Sequence, residues 1–220
     1  MGYKIILFFP LTMETDNTKL VSMVSNDNDV RQAILDLAYG KFAEHGFKKV
    51  TMDEIASELA ISKKTVYKYF ASKEAILEEI VNQRLKRAEE VLKSVLSHTG
   101  PVDERIHMVA EMFPRFVDAD WQRLIADVTH SVPSVSKKIQ AMVTYFITKV
   151  APSVLKDGQK SGVIRKDIDV DVFTMAYLGA AKELLNSDFL AKHPVTEEVI
   201  PKQIFRIFTE GILTEKGRKK

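Results

Sequence analysis

Apolar positions along this chain recur at three- and four-residue spacing, and no run of alternating apolar and polar residues persists. Glycine and proline are scarce, at 9 and 7 residues. The pattern therefore predicts an all-α protein. The first helix is expected over about 29–45, with Ile34, Leu37, Ala38 and Phe42 on one stripe and Gly46 as its stop. Thr51, with Asp53 and Glu54 behind it, reads as the N-cap of a short second helix that ends near Ala60. Ser62 caps a third short helix that ends near Phe70. Ser72 caps a fourth that runs to about Ser97, where Gly100 and Pro101 stop it. Further helices are expected over 102–117, 119–130, 134–159 with a bend at Pro152, 170–186 and 196–213, with a connector over 156–169.

Two short helices joined by a tight turn have the geometry of a helix-turn-helix, whose second helix enters the major groove while the first braces it. Ile55, Ala56 and Leu59, then Ile61, then Val66 and Phe70 supply apolar residues where such a unit needs its core. Val66 and Phe70 are four apart and face the same way, which turns Lys64, Thr65, Tyr67 and Lys68 outward. Lysine, hydroxyl and phenol on one face suit phosphates and base edges.

Residues 30–80 resemble the DNA-binding domain of the TetR family. The resemblance rests on Phe42-Ala-Glu-His-Gly-Phe47, on Thr51-Met-Asp-Glu-Ile-Ala56, and on Ser62-Lys-Lys-Thr-Val-Tyr-Lys-Tyr-Phe70 with Ala-Ser-Lys-Glu-Ala-Ile76 after it. It implies an N-terminal three-helix helix-turn-helix domain over 29–75 and a helical dimerisation and ligand-binding domain over 76–220, with residues 1–28 a flexible arm. It also implies DNA contacts at Thr51, Met52, Ser62, Lys63, Lys64, Thr65, Tyr67, Lys68, Tyr69 and Lys73. Tyr67 and Lys73 would be phosphate anchors, and Lys64, Thr65 and Lys68 would reach base edges. Two positions depart from the family pattern. The turn position often held by glycine is Ala60, and the recognition-helix position often held by glycine is Lys64.

Charge narrows this picture. The 32 basic and 30 acidic residues leave a net +2, so DNA affinity has to come from a local cluster. Ser62–Lys73 is that cluster, with Lys63, Lys64, Lys68 and Lys73 and no acid. The absence of cysteine excludes disulfides, thiolate metal sites and a cysteine nucleophile, and it fits a cytoplasmic protein. The apolar run Ile5–Leu11, broken by Pro10, is too short to span a bilayer, and Met13 and Met23 are alternative starts. His107 and Glu111 are four apart, with His130 beyond, but they read as ordinary helix residues and not as a metal site. No cofactor and no enzymatic activity are expected.

Met108, Met112, Phe113, Phe116, Trp121, Leu124, Val128, Met142, Phe146 and Met175 make the second half rich in adaptable apolar groups. They are core by composition and, by the resemblance, equally lining for an apolar or amphipathic ligand. Trp121 and Arg115 would then touch that ligand. Phe173, Ala176, Ala180, Ile204, Phe205, Phe208 and Ile212, on the last two helices, are expected at a homodimer interface. A two-fold dimer implies a near-palindromic double-stranded operator with half-sites about one turn apart. The function expected is a repressor that a small molecule releases; the alternative is a ligand-independent DNA-binding protein of chromosome organisation or division.

Overall fold

A computed structural model describes residues 27–116, 119–129, 131–184, 189, 192–193 and 199–212. The expected arm and the side chains of Met112, Phe113, Arg115 and Phe116 lie outside the described residues. Among the described residues the regular elements are helices and no strand forms. Helix α1 spans Asp27–His45, with Asp27 and Asp29 at its positive end. It stops at Gly46, whose φ of +87° only glycine adopts freely. Helix α2 spans Met52–Glu58 and opens with a capping box. The Thr51 hydroxyl accepts the Glu54 N–H at 3.2 Å, and the Glu54 carboxylate accepts the Thr51 N–H at 2.7 Å.

Helix α2 closes in a Schellman motif: Ile61 N–H donates to the Ala56 carbonyl at 3.0 Å and Ala60 N–H to that of Ser57 at 3.1 Å. That closure forces Ala60 to φ +52°, the left-handed region where a Cβ is crowded. Helix α3, Lys63–Tyr69, starts under Ser62, whose hydroxyl accepts the Thr65 N–H at 3.0 Å. Helix α4, Lys73–Ser97, starts under Ser72 in the same way and runs 25 residues, about 37 Å.

Helices α5 (Val102–Phe116), α6 (Ala119–Val128) and α7 (Pro133–Tyr145) follow. The expected bend at Pro152 is a π turn over Phe146–Val150, one turn upstream, leading into α8 (Ala151–Ser161). Pro152 has no N–H and its ring crowds the carbonyl of Thr148, so the turn before it widens. The expected connector begins later than 156. Leu155 and Gly158 are buried and hold the chain helical to Ser161. The Gln159 amide then donates to the carbonyls of Arg165 and Ile168 at 3.0 and 2.8 Å and closes the loop. Helices α9 (Val170–Leu184) and α10 (Val199–Ile212) complete the described chain.

The apolar stripes meet in three cores. The first joins α1, α2, α3 and the start of α4 to Trp121, Leu124 and Val128 of α6 and to Val132 and Val135 at the start of α7. The second gathers Leu92 and Val95 of α4, Val102, the π turn, α8 and Ile212. The third sits between α9 and α10 around Tyr177, Ala181, Ile200 and Ile204. The first core therefore runs straight through the boundary expected at residue 75. Polar ties cross it too: Arg31 donates to Glu79 at 3.1 Å, and Asp127 of α6 accepts the Phe47 N–H at 2.7 Å. In the body, the buried Arg105 binds the Val95 carbonyl at 3.0 Å, Asp157 at 2.9 Å and the Ser153 hydroxyl at 2.8 Å, fixing α5 to α4 and α8.

Candidate functional site

The short helices present the face that their sequence demands. Val66 is fully buried and Phe70 nearly so, and this anchors the inner side of α3 on Ile55, Ala56 and Leu59. Lys63, Lys64, Tyr67 and Lys68 are exposed, with Tyr67 at 52 % despite its ring. Thr65 and Tyr69 are half-buried at the edges of that face.

The cations on this face are not equivalent. Lys63 pairs with Asp53 of α2 at 2.5 Å, and Lys68 pairs with Asp27 at 3.1 Å, where the Tyr69 hydroxyl also donates to Asp27 at 2.7 Å. The Tyr69 and Lys68 hydrogen bonds hold the Asp27 carboxyl below its ordinary range, and Asp27 raises Lys68 and Tyr69 in return. Such exposed pairs are worth little, so a phosphate can displace them. Among the described residues no ion pair or hydrogen bond engages Lys64 or Tyr67.

Three of the expected contacts have other occupations. Met52 is buried in the first core, because its place at the start of α2 points inward. Thr51 spends its hydroxyl and its N–H on the capping box, so a phosphate there would have to displace the Glu54 carboxylate. Lys73 points back under the α1–α2 loop, where its ammonium donates to the carbonyls of Phe47, Lys48 and Val50 at 2.9, 3.1 and 3.1 Å and lies 4.7 Å from the Phe47 ring centroid. It clamps the loop and does not face solvent as a phosphate anchor would. Asp27 escaped the sequence reading because it precedes the apolar stripe by which α1 was placed.

In the body, a cavity of about 380 Å³ opens between α4, α6, α7 and α9. Trp121, Met142 and Phe146 are in its lining. Leu85, Ala88 and Leu92 of α4, Ile125, Ile139 and Leu178 also line it, together with Arg84, Gln122 and Lys182. Arg84, Ala88 and Leu92 stand at helical spacing on α4, and the sequence reading did not single them out. Leu124 and Val128 are fully buried in the first core and are not part of the cavity lining. Met108 packs on the second core. Met175 is 57 % exposed on the outside of α9 and lines nothing.

The last two helices need the same correction. Ile204 and Ile212 are buried within the protomer, and Ala180 packs on the third core. Phe173, Phe205 and Phe208 line a smaller pocket of about 70 Å³, where Phe208 makes edge contacts with Phe173 and Tyr177. Of the expected residues only Ala176 lies on the outward face, together with Val172, Met175 and Gly179 on α9 and Val199, Ile207 and Gly211 on α10. Ile207 is 66 % exposed. Periodicity marked both helices as apolar on most sides and could not tell the buried side from the outer one.

A short helix braced by its predecessor, presenting lysine and phenol outward, defines a helix-turn-helix DNA-binding regulator. Residues 34–80 match the family model described as bacterial regulatory proteins, tetR family. The chain is 28% identical to the HTH-type transcriptional regulator UidR of Escherichia coli (strain K12) over 200 residues, 88% of this chain and 97% of that one. It is 25% identical to a TetR/AcrR family regulator from Thermobifida fusca, at a TM-score of 0.64 over 84% of this chain and 98% of that one. It also shares its fold, at a TM-score of 0.69 and 22% identity, with a transcriptional regulator from Saccharomonospora viridis in complex with choline, over 86% of this chain and all of that one. Residues 34–80 thus carry the tetR-family DNA-binding domain, and the chain is similar over most of its length to transcriptional regulators. Among the described residues no helix is long and apolar enough to cross a membrane.

Proposed function

We propose that this chain is a cytoplasmic homodimeric repressor that occupies a near-palindromic operator and is released by a small molecule held in the cavity between α4, α6, α7 and α9. One observation carries the reading. Helix α4 begins beside α3 at Ser72, which caps it, and its Arg84–Leu92 segment forms a wall of the cavity. Any molecule that fits the cavity better in one pose of α4 than another shifts the position of α3 on DNA. The volume lies within the range of small-molecule sites, and the choline complex shows that a neighbour of this fold holds a small molecule.

Residues 29–75 form the reading unit and 76–220 the body. Lys64, Thr65, Tyr67 and Lys68 make the contacts in the groove, with Ser62, Lys63 and Tyr69 beside them. The dimer forms through Val172, Met175, Ala176, Gly179 and Ile207, whose exposed apolar surface needs a partner.

Selection of duplex DNA from a random pool by the full chain tests the reading, and a near-palindrome with half-sites one turn apart is the expected product. Tyr67→Ala weakens binding to every selected duplex alike, because a phosphate contact carries no sequence information. Ile207→Glu yields monomers in sedimentation velocity and loses operator affinity. A pool with no enriched sequence, or an Ile207→Glu protein that remains a dimer, refutes the corresponding part.

A further inference from the structure

Both ends of α3 carry a lysine held by an acid from another helix. Near its start Lys63 pairs with Asp53 of α2, and near its end Lys68 pairs with Asp27 of α1. The Asp27 pair has a further member. The Lys68 ammonium donates to both carboxylate oxygens at 3.1 Å, and the Tyr69 hydroxyl donates to the same carboxylate at 2.7 Å. Asp27 therefore keeps its place through Tyr69 when Lys68 turns away, and recaptures the ammonium when it returns.

Such a pair acts differently on two kinds of duplex. On an arbitrary sequence no base edge holds α3 in the groove, and binding comes from screened attraction between cations and phosphates. A phosphate met through water is a poorer acceptor for Lys68 than a carboxylate already touching it, so Lys68 stays with Asp27 and adds nothing. On a matching sequence the base contacts seat α3. An acceptor on the DNA then meets Lys68 directly, and an exposed pair, weak in itself, gives way. Withholding a contact from the wrong partner gains selectivity at little cost in affinity for the right one. The gain matters because a genome offers roughly 10⁶–10⁹ competing sites.

We infer that Asp27 sets sequence selectivity by holding Lys68 off DNA until α3 is seated, with Tyr69 as the post that fixes Asp27. This rests on the DNA-facing role of α3 proposed above and deepens it. Asp27 acts through Lys68 and is a positioning residue. Binding of the full chain is followed by fluorescence anisotropy on two probes, a mixed-sequence duplex of about 30 base pairs and the duplex selected from the random pool, over about 50–200 mM potassium chloride.

Asp27→Asn is expected to bind the mixed duplex about three- to tenfold more tightly, with a log–log salt slope steeper by about 0.9 per protomer, the share of one more neutralised phosphate. On the selected duplex it gains no more than about twofold and keeps the parent slope, because Lys68 already makes that contact. Asp27→Glu keeps a carboxylate within reach of Lys68 and restores the parent behaviour on both. Asp27→Asn combined with Lys68→Gln removes both charges; it brings the mixed duplex back to the parent level and weakens the selected one about tenfold. Asp27 and Lys68 are exposed, and thermal melting at the parent temperature shows that each variant is folded. Equal tightening of both duplexes by Asp27→Asn, or an unchanged slope on the mixed one, overturns the inference and leaves the DNA-facing role of α3 standing. A double variant weakened alike on both duplexes does the same. A pool that yields no duplex preferred over the mixed one overturns the inference and that role together.

Discussion

Replacing Ala60 with glycine should make this protein more stable, although it removes a methyl group and adds no contact. The Schellman closure of α2 holds Ala60 at φ +52° through the hydrogen bonds of its own N–H and that of Ile61. An L-residue in that region carries about 1–2 kcal/mol of crowding between Cβ and the following carbonyl. Glycine removes this term. The opposing term is the freedom that glycine adds to the unfolded chain, about 0.4–1 kcal/mol. Ala60 is exposed, so its Cβ contributes no core packing. The balance is a gain of about 0.5–1 kcal/mol, or a rise of about 1–4 °C in Tm for a chain of this size. Thermal melting by circular dichroism measures it, with urea unfolding as an independent check. Ala60→Val is the control of opposite sign, since a β-branched residue tolerates positive φ least. An Ala60→Gly protein that melts at or below the parent temperature refutes the argument, because it would mean that the turn stores no strain.

Lys73→Met should lower stability by about 2–3 kcal/mol through loss of three hydrogen bonds to loop carbonyls; a melt unchanged beside a fall in DNA affinity would restore Lys73 to the phosphate backbone. The Asp157 carboxyl is held below its usual range first by the Arg105 hydrogen bond and then by Lys160. Its contribution is therefore present above the ordinary carboxyl pKa and lost as pH falls through the depressed one. Asp157→Asn should melt below the parent at pH 7, with the gap closing as pH falls from about 5 toward 3; a gap independent of pH would deny the charge its role. Burial pushes the Tyr177 phenol up to about 12, so the folded state favours its neutral form. That stabilisation is intact below the ordinary phenol pKa of about 10 and is lost as pH rises from there through about 12. Ultraviolet titration should show a late component among the six tyrosines, which Tyr177→Phe abolishes; its persistence in the variant assigns it elsewhere.

The helices and the reading face were legible in the chain because local rules govern them. Thr51, Ser62 and Ser72 cap the helices that they were expected to cap, and the four-residue spacing of Val66 and Phe70 fixes which side of α3 points out. What escaped depends on where a second element lies. Lys73 looked like a free cation because the carbonyls that hold it belong to residues about 25 positions earlier, across a loop whose path no periodicity encodes. Leu124 and Trp121 are three apart on α6, yet Leu124 lies deep in the core beneath the reading unit and Trp121 also faces the cavity. Helices apolar on more than one side, such as α9 and α10, leave the choice of outer face to packing. On α9 and α10 packing within the protomer determines which residues face outward.

The first core has a practical consequence. Because Trp121, Leu124, Val128 and Val135 fill the same interior as Phe42, Ile55 and Val66, the reading head is not a detachable cassette. A chimera that grafts residues 29–75 onto another body must carry the matching surface of α6 with it, or it will leave a hydrophobic socket open to water. By the same logic, a substitution on the buried side of the head changes the surface that α6 must present to it.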